Sequence, residues 1–412
     1  MRKIVTILII ISLIAISQSA LCSPSSEIEN KNIINAGDKF SEAKIKLFMK
    51  IGRIPSMSAC IIDNNGIEFY KGMGSLNRFK KIEPTKDTIY QVGSITKTVT
   101  GIAVMQLWEK GLFDLDDDIN DYLNFSIRHP KYPDIPITFR MLLAHQAGFR
   151  PAGTSLFDLR YLLIRHFFSN GNLNKFIEYP YPWIKEFVVP GGKLYKDSVW
   201  LDTAPGEKPS YSNIQYVILE HLIERLAEQD FEEYCKENIF EPLQMFNTSF
   251  DYSNHKKEQL APPYFNFLGI NLRFPHYNFG QTGGEGLRSS AEDLSHLLIA
   301  HMNGGIWNGT RILNETTIDM MHTKQYPDCL DKQYDYYHGL AWEIFSEEWQ
   351  GMILEGHSGI LLGGSGVMYM NQTSNFGVIV LLNKLVLGLT CELSFYKIFD
   401  EFYNLYLEET EK

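Results

Sequence analysis

Apolar and polar positions change their spacing along the chain, and each change predicts a different element. Residues 23–38 are polar and read as a loose lead-in. Ser41–Met49 reads as a helix. Met57–Ile62 and Ile67–Gly72 are apolar runs on either side of Asp63-Asn64-Asn65-Gly66. Asn-Gly between such runs predicts a hairpin, because both residues tolerate the positive φ of a tight turn. An apolar helix is expected from about Ser94 to Lys110, stopped by Gly111 as a left-handed cap. The middle, from Thr138 to about Phe250, shows apolar residues at three- and four-residue spacing over Phe139–His145, Leu156–Phe168 and Asn213–Ala227, and Asp293–Met302 repeats it. Beyond Tyr337 the pattern shortens into candidate strands, Gly339–Phe345, Gly351–Glu355, Gly366–Tyr369 and Phe376–Leu382, before an amphipathic helix at Leu393–Leu407. Strands at both ends with helices between them predict an α+β fold. Its antiparallel sheet would be built from both chain ends, flanked by helices, around an inserted, mostly helical subdomain. With no internal repeat or linker, residues 39–412 read as one catalytic unit.

The first residues follow another rule. Met1-Arg2-Lys3 precedes an apolar run, Ile4–Ile16, and then Ser17-Gln18-Ser19-Ala20. Such a run rises only about 20 Å as a helix, short of the roughly 30 Å hydrocarbon core. Residues 1–22 therefore read as a secretory signal peptide cleaved between Ser19 and Ser23. The alternative is an uncleaved membrane anchor. Export to a periplasmic, extracellular or cell-surface location is expected, with membrane contact only through this segment. Cys60, Cys235, Cys329 and Cys391 would remain in the mature chain, either as two disulfides or as buried free thiols.

Composition narrows the partners. The 412 residues carry 38 Lys+Arg against 49 Asp+Glu, a net charge of −11. Cleavage removes Arg2 and Lys3 and no acid, leaving 36 basic against 49 acidic residues and a charge near −13. So negative a surface repels phosphate backbones, and no nucleic-acid partner is expected. The chain has no CxxC and no His-Glu-x-x-His, so neither a metal nor another cofactor is expected. Asp114-Leu115-Asp116-Asp117-Asp118 misses the calcium-loop pattern, since Ile119 and Phe125 stand where Gly and Glu are needed; these aspartates read as helix-start caps. Gly-x-Ser-x-Gly is absent, which argues against a nucleophile elbow.

Ser-x-x-Lys occurs four times, at Ser41, Ser94, Ser253 and Ser394. Context separates Ser94, which follows an extended segment and opens an apolar helix. Ser94 and Lys97 then share one helix face, a turn apart, at an N-terminus whose unpaired N–H groups suit a developing oxyanion. A buried Lys97 would lose basicity and become able to take the serine proton. Two more elements follow in order, Tyr211-Ser212-Asn213 at a helix start and His357-Ser358-Gly359 after a predicted strand.

These three elements, with Gln91-Val92-Gly93-Ser94-Ile95-Thr96-Lys97 and Gly283-Gly284-Glu285-Gly286-Leu287-Arg288-Ser289-Ser290, resemble the serine penicillin-recognising hydrolases: class C β-lactamases, DD-peptidases, D-aminopeptidases and related esterases. The likeness covers roughly residues 40–400. It implies a β-lactamase/transpeptidase-like fold and a covalent acyl-serine intermediate. Ser94 would be the nucleophile, Lys97 its proton acceptor and Tyr211 a proton shuttle to the leaving group. Asn213 would bind Lys97 and the substrate amide. His357, Ser358 and Gly359 would line the substrate, with the Ile360 N–H joining that of Ser94 in the oxyanion hole. Many relatives have Lys-Thr-Gly where this chain has His-Ser-Gly, and a neutral imidazole binds a substrate carboxylate weakly. D-amino-acid peptides or esters are thus expected ahead of β-lactams. The alternatives are a β-lactamase or DD-carboxypeptidase and, in another class, a non-catalytic cell-wall or peptide binder keeping the fold. The long stretch before Tyr211, with Tyr161, Phe167, Phe168, Tyr179, Tyr181 and Trp183, would line a cleft or simply pack. His145 reads as a structural residue closing a helix.

Overall fold

The computed structural model describes residues 41–77, 81–151, 182–267, 270–273, 276–278, 280, 282–349, 351–386 and 389–410. The signal segment, the lead-in, the expected helix Leu156–Phe168, and Tyr161, Phe167, Phe168, Tyr179 and Tyr181 lie outside them, as does the side chain of Trp183.

A seven-stranded antiparallel sheet is the centre of the molecule. In chain order its strands are β1 (Ser56–Ile62), β2 (Ile67–Gly74), β3 (Tyr336–His338), β4 (Glu343–Phe345), β5 (Glu355–Leu361), β6 (Gly364–Asn371) and β7 (Phe376–Leu382). Their spatial order is β2-β1-β7-β6-β5-β4-β3, so the N-terminal hairpin pairs with the last strand, Met57 opposite Leu382 and Ile62 opposite Gly377. Both chain ends build the sheet, as the pattern predicts.

The period of two along the strands splits the apolar residues between two cores. From β1 and β7, Met57, Ala59, Ile61, Val378 and Val380 pack on the face covered by helices α1 (Glu42–Ile51) and α5 (Leu389–Thr410). Cys60, Ile62, Ile379 and Leu381 point the other way, into the larger core with α2 (Thr96–Glu109), α3 (Asn213–Ala227) and α4 (Ala291–Met302). α2 is buried on every side from Thr96 to Leu107, polar residues included, because it runs through the middle of the core.

Local chemistry sets several boundaries. Ser41 caps α1 by accepting from the Lys44 N–H, and Gly111, at φ +71°, ends the α2 region as expected. Asp118 caps a single 3₁₀ turn, Ile119–Asp121. Two strand expectations need correction. The segment 339–345 is broken, because Ala341 turns at φ +69° between β3 and β4. The strand expected at Gly351–Glu355 instead begins at Glu355 and runs to Leu361, so His357-Ser358-Gly359 lies inside it and not after it. Cys60, Cys235 and Cys329 are free thiols, which removes the two-bridge alternative. Among the described residues no helix is long and apolar enough to cross a membrane.

Candidate active site

Ser94 lies in a 3₁₀ turn, Gly93–Ile95, that leads directly into α2. The turn needs a left-handed residue at its start, and Gly93 supplies φ +56°. It docks against β5 for a simple reason. β4 pairs only with Glu355 and Gly356, so from His357 onward the β5 edge is free of a strand partner. The Ser358 N–H points off that edge to Glu343 Oε2 at 3.1 Å, and the two-residue period turns the Ile360 N–H the same way, toward the serine turn. A Cβ on Gly93 would stand 2.9 Å from Ile360 N, and one on Gly359 3.0 Å from Ser94 N and 1.9 Å from Val92 O. The two glycines let a pair of backbone donors approach one point beside Ser94.

Lys97 is fully buried one turn along. Its Nζ lies 2.9 Å from Ser94 Oγ, 2.7 Å from Asn213 Oδ1 and 2.6 Å from the Gly284 carbonyl. Burial pulls its pKa down to about 7, against the opposing pull of the Glu285 and Glu343 carboxylates. A neutral amine has two N–H groups and one lone pair. Asn213 and Gly284 take the first two, which leaves the lone pair for the Ser94 hydroxyl.

Helix α3 fixes two of those contacts. Asn213 is its first residue, and two turns along the buried Glu220 accepts the N–H groups of Thr282 and Gly283 at 2.9 and 2.8 Å. Glu220 thereby holds the loop whose next carbonyl receives Lys97. Its own carboxyl is pushed up to about 7 by burial.

Tyr211 comes from the segment entering α3. His145, at φ +55° after the short helix Phe139–Leu143, stacks on it with centroids 4.4 Å apart. His145 Nδ1 accepts from the Ser212 N–H at 3.3 Å and lies 3.1 Å from Gln215 Nε2, while Gln215 also donates to the Ser210 carbonyl. His145 closes a helix, as read from the sequence, and also positions the phenol. Lys97 Nζ sits 4.9 Å from the Tyr211 ring centroid. Burial, with the like charge of Glu343, raises the Tyr211 phenol well above its ordinary value, the Ser94 hydroxyl working the other way. Near neutral pH this residue is therefore a phenol, and the Lys97 amine is the more readily deprotonated of the two.

His357 is buried, with Nδ1 2.6 Å from the Ser358 carbonyl and 3.4 Å from Glu343 Oε1. Burial and the Lys97 charge drive its pKa to about 3, so the ring is neutral. Glu343 accepts from Tyr369 Oη at 2.8 Å and is itself raised to about 7 by burial. Among the described residues no group of His, Cys, Asp and Glu is placed to hold a metal ion. The fold brings Ser94, Lys97, Tyr211, Asn213, His357, Ser358, Gly359 and Ile360 to one place. Sequence reasoning missed Glu220, Glu285, Glu343 and the Gly284 carbonyl. Glu285 stands inside a quoted motif, but a lone acid there carries no signal of burial.

The Beta-lactamase family model matches residues 42–390. The chain belongs to the beta-lactamase family. It is similar to "Protein flp" of Staphylococcus aureus strain MRSA252, 25% identical over 81% of this chain and 60% of that protein. The beta-lactamase domain thus spans under two thirds of the length of the curated relatives it matches. Among solved structures, the octameric penicillin-binding protein homologue of Pyrococcus abyssi superposes with a TM-score of 0.68 at 28% identity, covering 83% of this chain and 72% of that one. A D-stereospecific amidohydrolase from Streptomyces sp. shares the fold, with a TM-score of 0.66 at 20% identity over 87% and 98% of the two chains.

Proposed function

We propose that this chain is an exported acyl-hydrolase that works through a covalent ester on Ser94, and that it takes uncharged esters and D-amino-acid esters or amides ahead of β-lactams. Ser94 Oγ attacks the substrate carbonyl carbon and its proton passes to the Lys97 amine. The carbonyl oxygen gains negative charge beside the Ser94 and Ile360 N–H groups. As the carbon–leaving-group bond breaks, the Tyr211 phenol gives the departing oxygen or nitrogen a proton and is reprotonated through Lys97. Water then attacks the acyl ester by the reverse route and frees Ser94 and an acid. What carries this reading is the amine of Lys97, fully buried and 2.9 Å from Ser94 Oγ. The preference against β-lactams rests on His357, which burial keeps uncharged and so unable to pair with the carboxylate those drugs carry.

A fluorophosphonate should add to Ser94, seen by intact mass and peptide mapping, and Ser94→Ala should abolish both label and ester turnover. An adduct elsewhere, or turnover surviving in Ser94→Ala, would overturn the assignment. A cephalosporin turned over far faster than simple esters would reverse the substrate order. Export is tested by N-terminal sequencing of protein recovered outside the cytoplasm, which should begin between Ala20 and Ser23.

A further inference from the structure

Tyr334 is a large aromatic residue left 43% exposed beside Tyr211. Its ring meets the Tyr211 ring edge-on at 5.6 Å and stacks on the Tyr336 ring at 5.6 Å and 13°. The turn that carries it is held tightly: Asp331 accepts the Tyr334 and Asp335 N–H groups through its carbonyl, at 3.1 and 2.8 Å. An exposed ring on a rigid turn presents a fixed π face.

Two buried carboxyls back this wall, one of which, Glu343, is about half ionised near pH 7. Glu343, 2% exposed, and Asp331, 5% exposed, are both buried near the rings. Burial is the main cause that raises the Tyr334 phenol, and the like charges of Asp331 and Glu343 add to it; Glu343 adds in the same sense to the burial of Tyr211 and Tyr336. Asp331 lies 3.3 Å from His338 Nε2, and the donors that meet Glu343, Tyr369 and Ser358 on one oxygen and the Ser358 hydroxyl on the other, are neutral. Aromatic faces are negative, and a cation gains most over a ring when other negative charge lies behind it and water is partly excluded.

We propose that Tyr334, backed by Tyr336 and the buried Glu343, forms a subsite for a positively charged ammonium group on the substrate, making the enzyme selective for cationic over carboxylate-bearing acyl compounds. This rests on Ser94 being the nucleophile, since the wall earns its role by touching Tyr211. It also adds an attractive element to the neutral His357. One residue disfavours anions by lacking a charge, and the other favours cations by offering a face.

Two measurements separate the proposal from the reading beneath it. In the first, p-nitrophenyl esters whose acyl chains end in trimethylammonium, tert-butyl or carboxylate are compared by kcat/KM. The cationic ester should exceed its tert-butyl isostere by about tenfold, the size of a partly desolvated cation–π contact, and the carboxylate should be slowest. The cation-to-neutral ratio, in which any general loss of activity cancels, should be kept in Tyr334→Phe and fall at least about fivefold in Tyr334→Leu. A parent ratio near one, or a ratio unmoved in Tyr334→Leu, overturns the subsite. In the second, calorimetry with choline and its uncharged isostere 3,3-dimethyl-1-butanol reads binding to the full chain without turnover. Choline should bind more tightly, and its advantage should vanish in Tyr334→Leu. If no ester is hydrolysed but choline keeps that advantage, the hydrolase reading fails and the cation subsite stands. If esters are hydrolysed and choline binds no better than the alcohol, the reverse holds.

Discussion

At Lys97 Nζ three oxygens compete for the protons of one amine, and burial decides how many protons are present. With a pKa of about 7, the amine is half neutral near physiological pH. The rate should therefore fall on the acid side of about pH 7 as the lone pair facing Ser94 is lost. Glu285 pulls the other way, because its negative charge favours the ammonium form. Glu285→Gln should move the acid limb of kcat/KM to lower pH, and a limb that stays in place would show that Glu285 does not act on Lys97. Ser94 and Lys97 stood out in the sequence because they share one face at the start of an apolar helix, whereas Tyr211 and Asn213 entered through the resemblance to the penicillin-recognising hydrolases. Glu220, Glu285 and Glu343 were not legible. A glutamate on a page looks like a surface residue, and only the chain's folding shows that each is buried beside backbone donors or a lysine.

The elements that carry these residues depend on close backbone approach. β5 was misplaced from the sequence because Gly356, Ser358 and Gly359 are poor strand formers and read as a loop. The fold needs them small. Gly356 lets Tyr369 lie across β5, since a Cβ there would stand 2.5 Å from the Tyr369 ring. Gly359 lets the serine turn dock. Gly359→Ala would put a methyl group 1.9 Å from the Val92 carbonyl and push the turn off the strand. The two oxyanion donors would then separate, and kcat should drop by about 10²–10³, the loss expected from one misplaced donor. A variant with full kcat would mean that the Ile360 N–H is not used. α3 was the reverse case. Its three- and four-residue period gave both ends correctly, although Ser212 makes no side-chain capping bond at its start.

Over the whole molecule, the two cores bury titratable groups in the forms that burial favours. His301 is fully buried, 3.0 Å from His322 Nε2, and its pKa is held well below the ordinary value. The folded state thus keeps His301 neutral while the unfolded chain takes up a proton below about pH 6.5, so its stabilising share is complete above that pH and shrinks as pH falls. Comparing pH 7.5 with 5.5, the parent should lose about 1.4 kcal/mol more than His301→Asn, which has no such proton to bind, measured by denaturant unfolding. Equal losses would show that His301 is not held neutral. Unfolding without reductant should also expose the buried Cys60 and Cys235 to alkylation, whereas Cys329 is already half-buried in the folded chain.

The sheet order carries a consequence for how the protein is made. The hairpin of β1 and β2 emerges from the ribosome early, yet its neighbour in the sheet, β7, is translated more than 300 residues later. Ser94 likewise leans on β5, which is still unmade when the serine turn leaves the exit tunnel. Sheet completion therefore waits for nearly the whole polypeptide, and nascent fragments ending before Phe376 carry an open, sticky edge on β1.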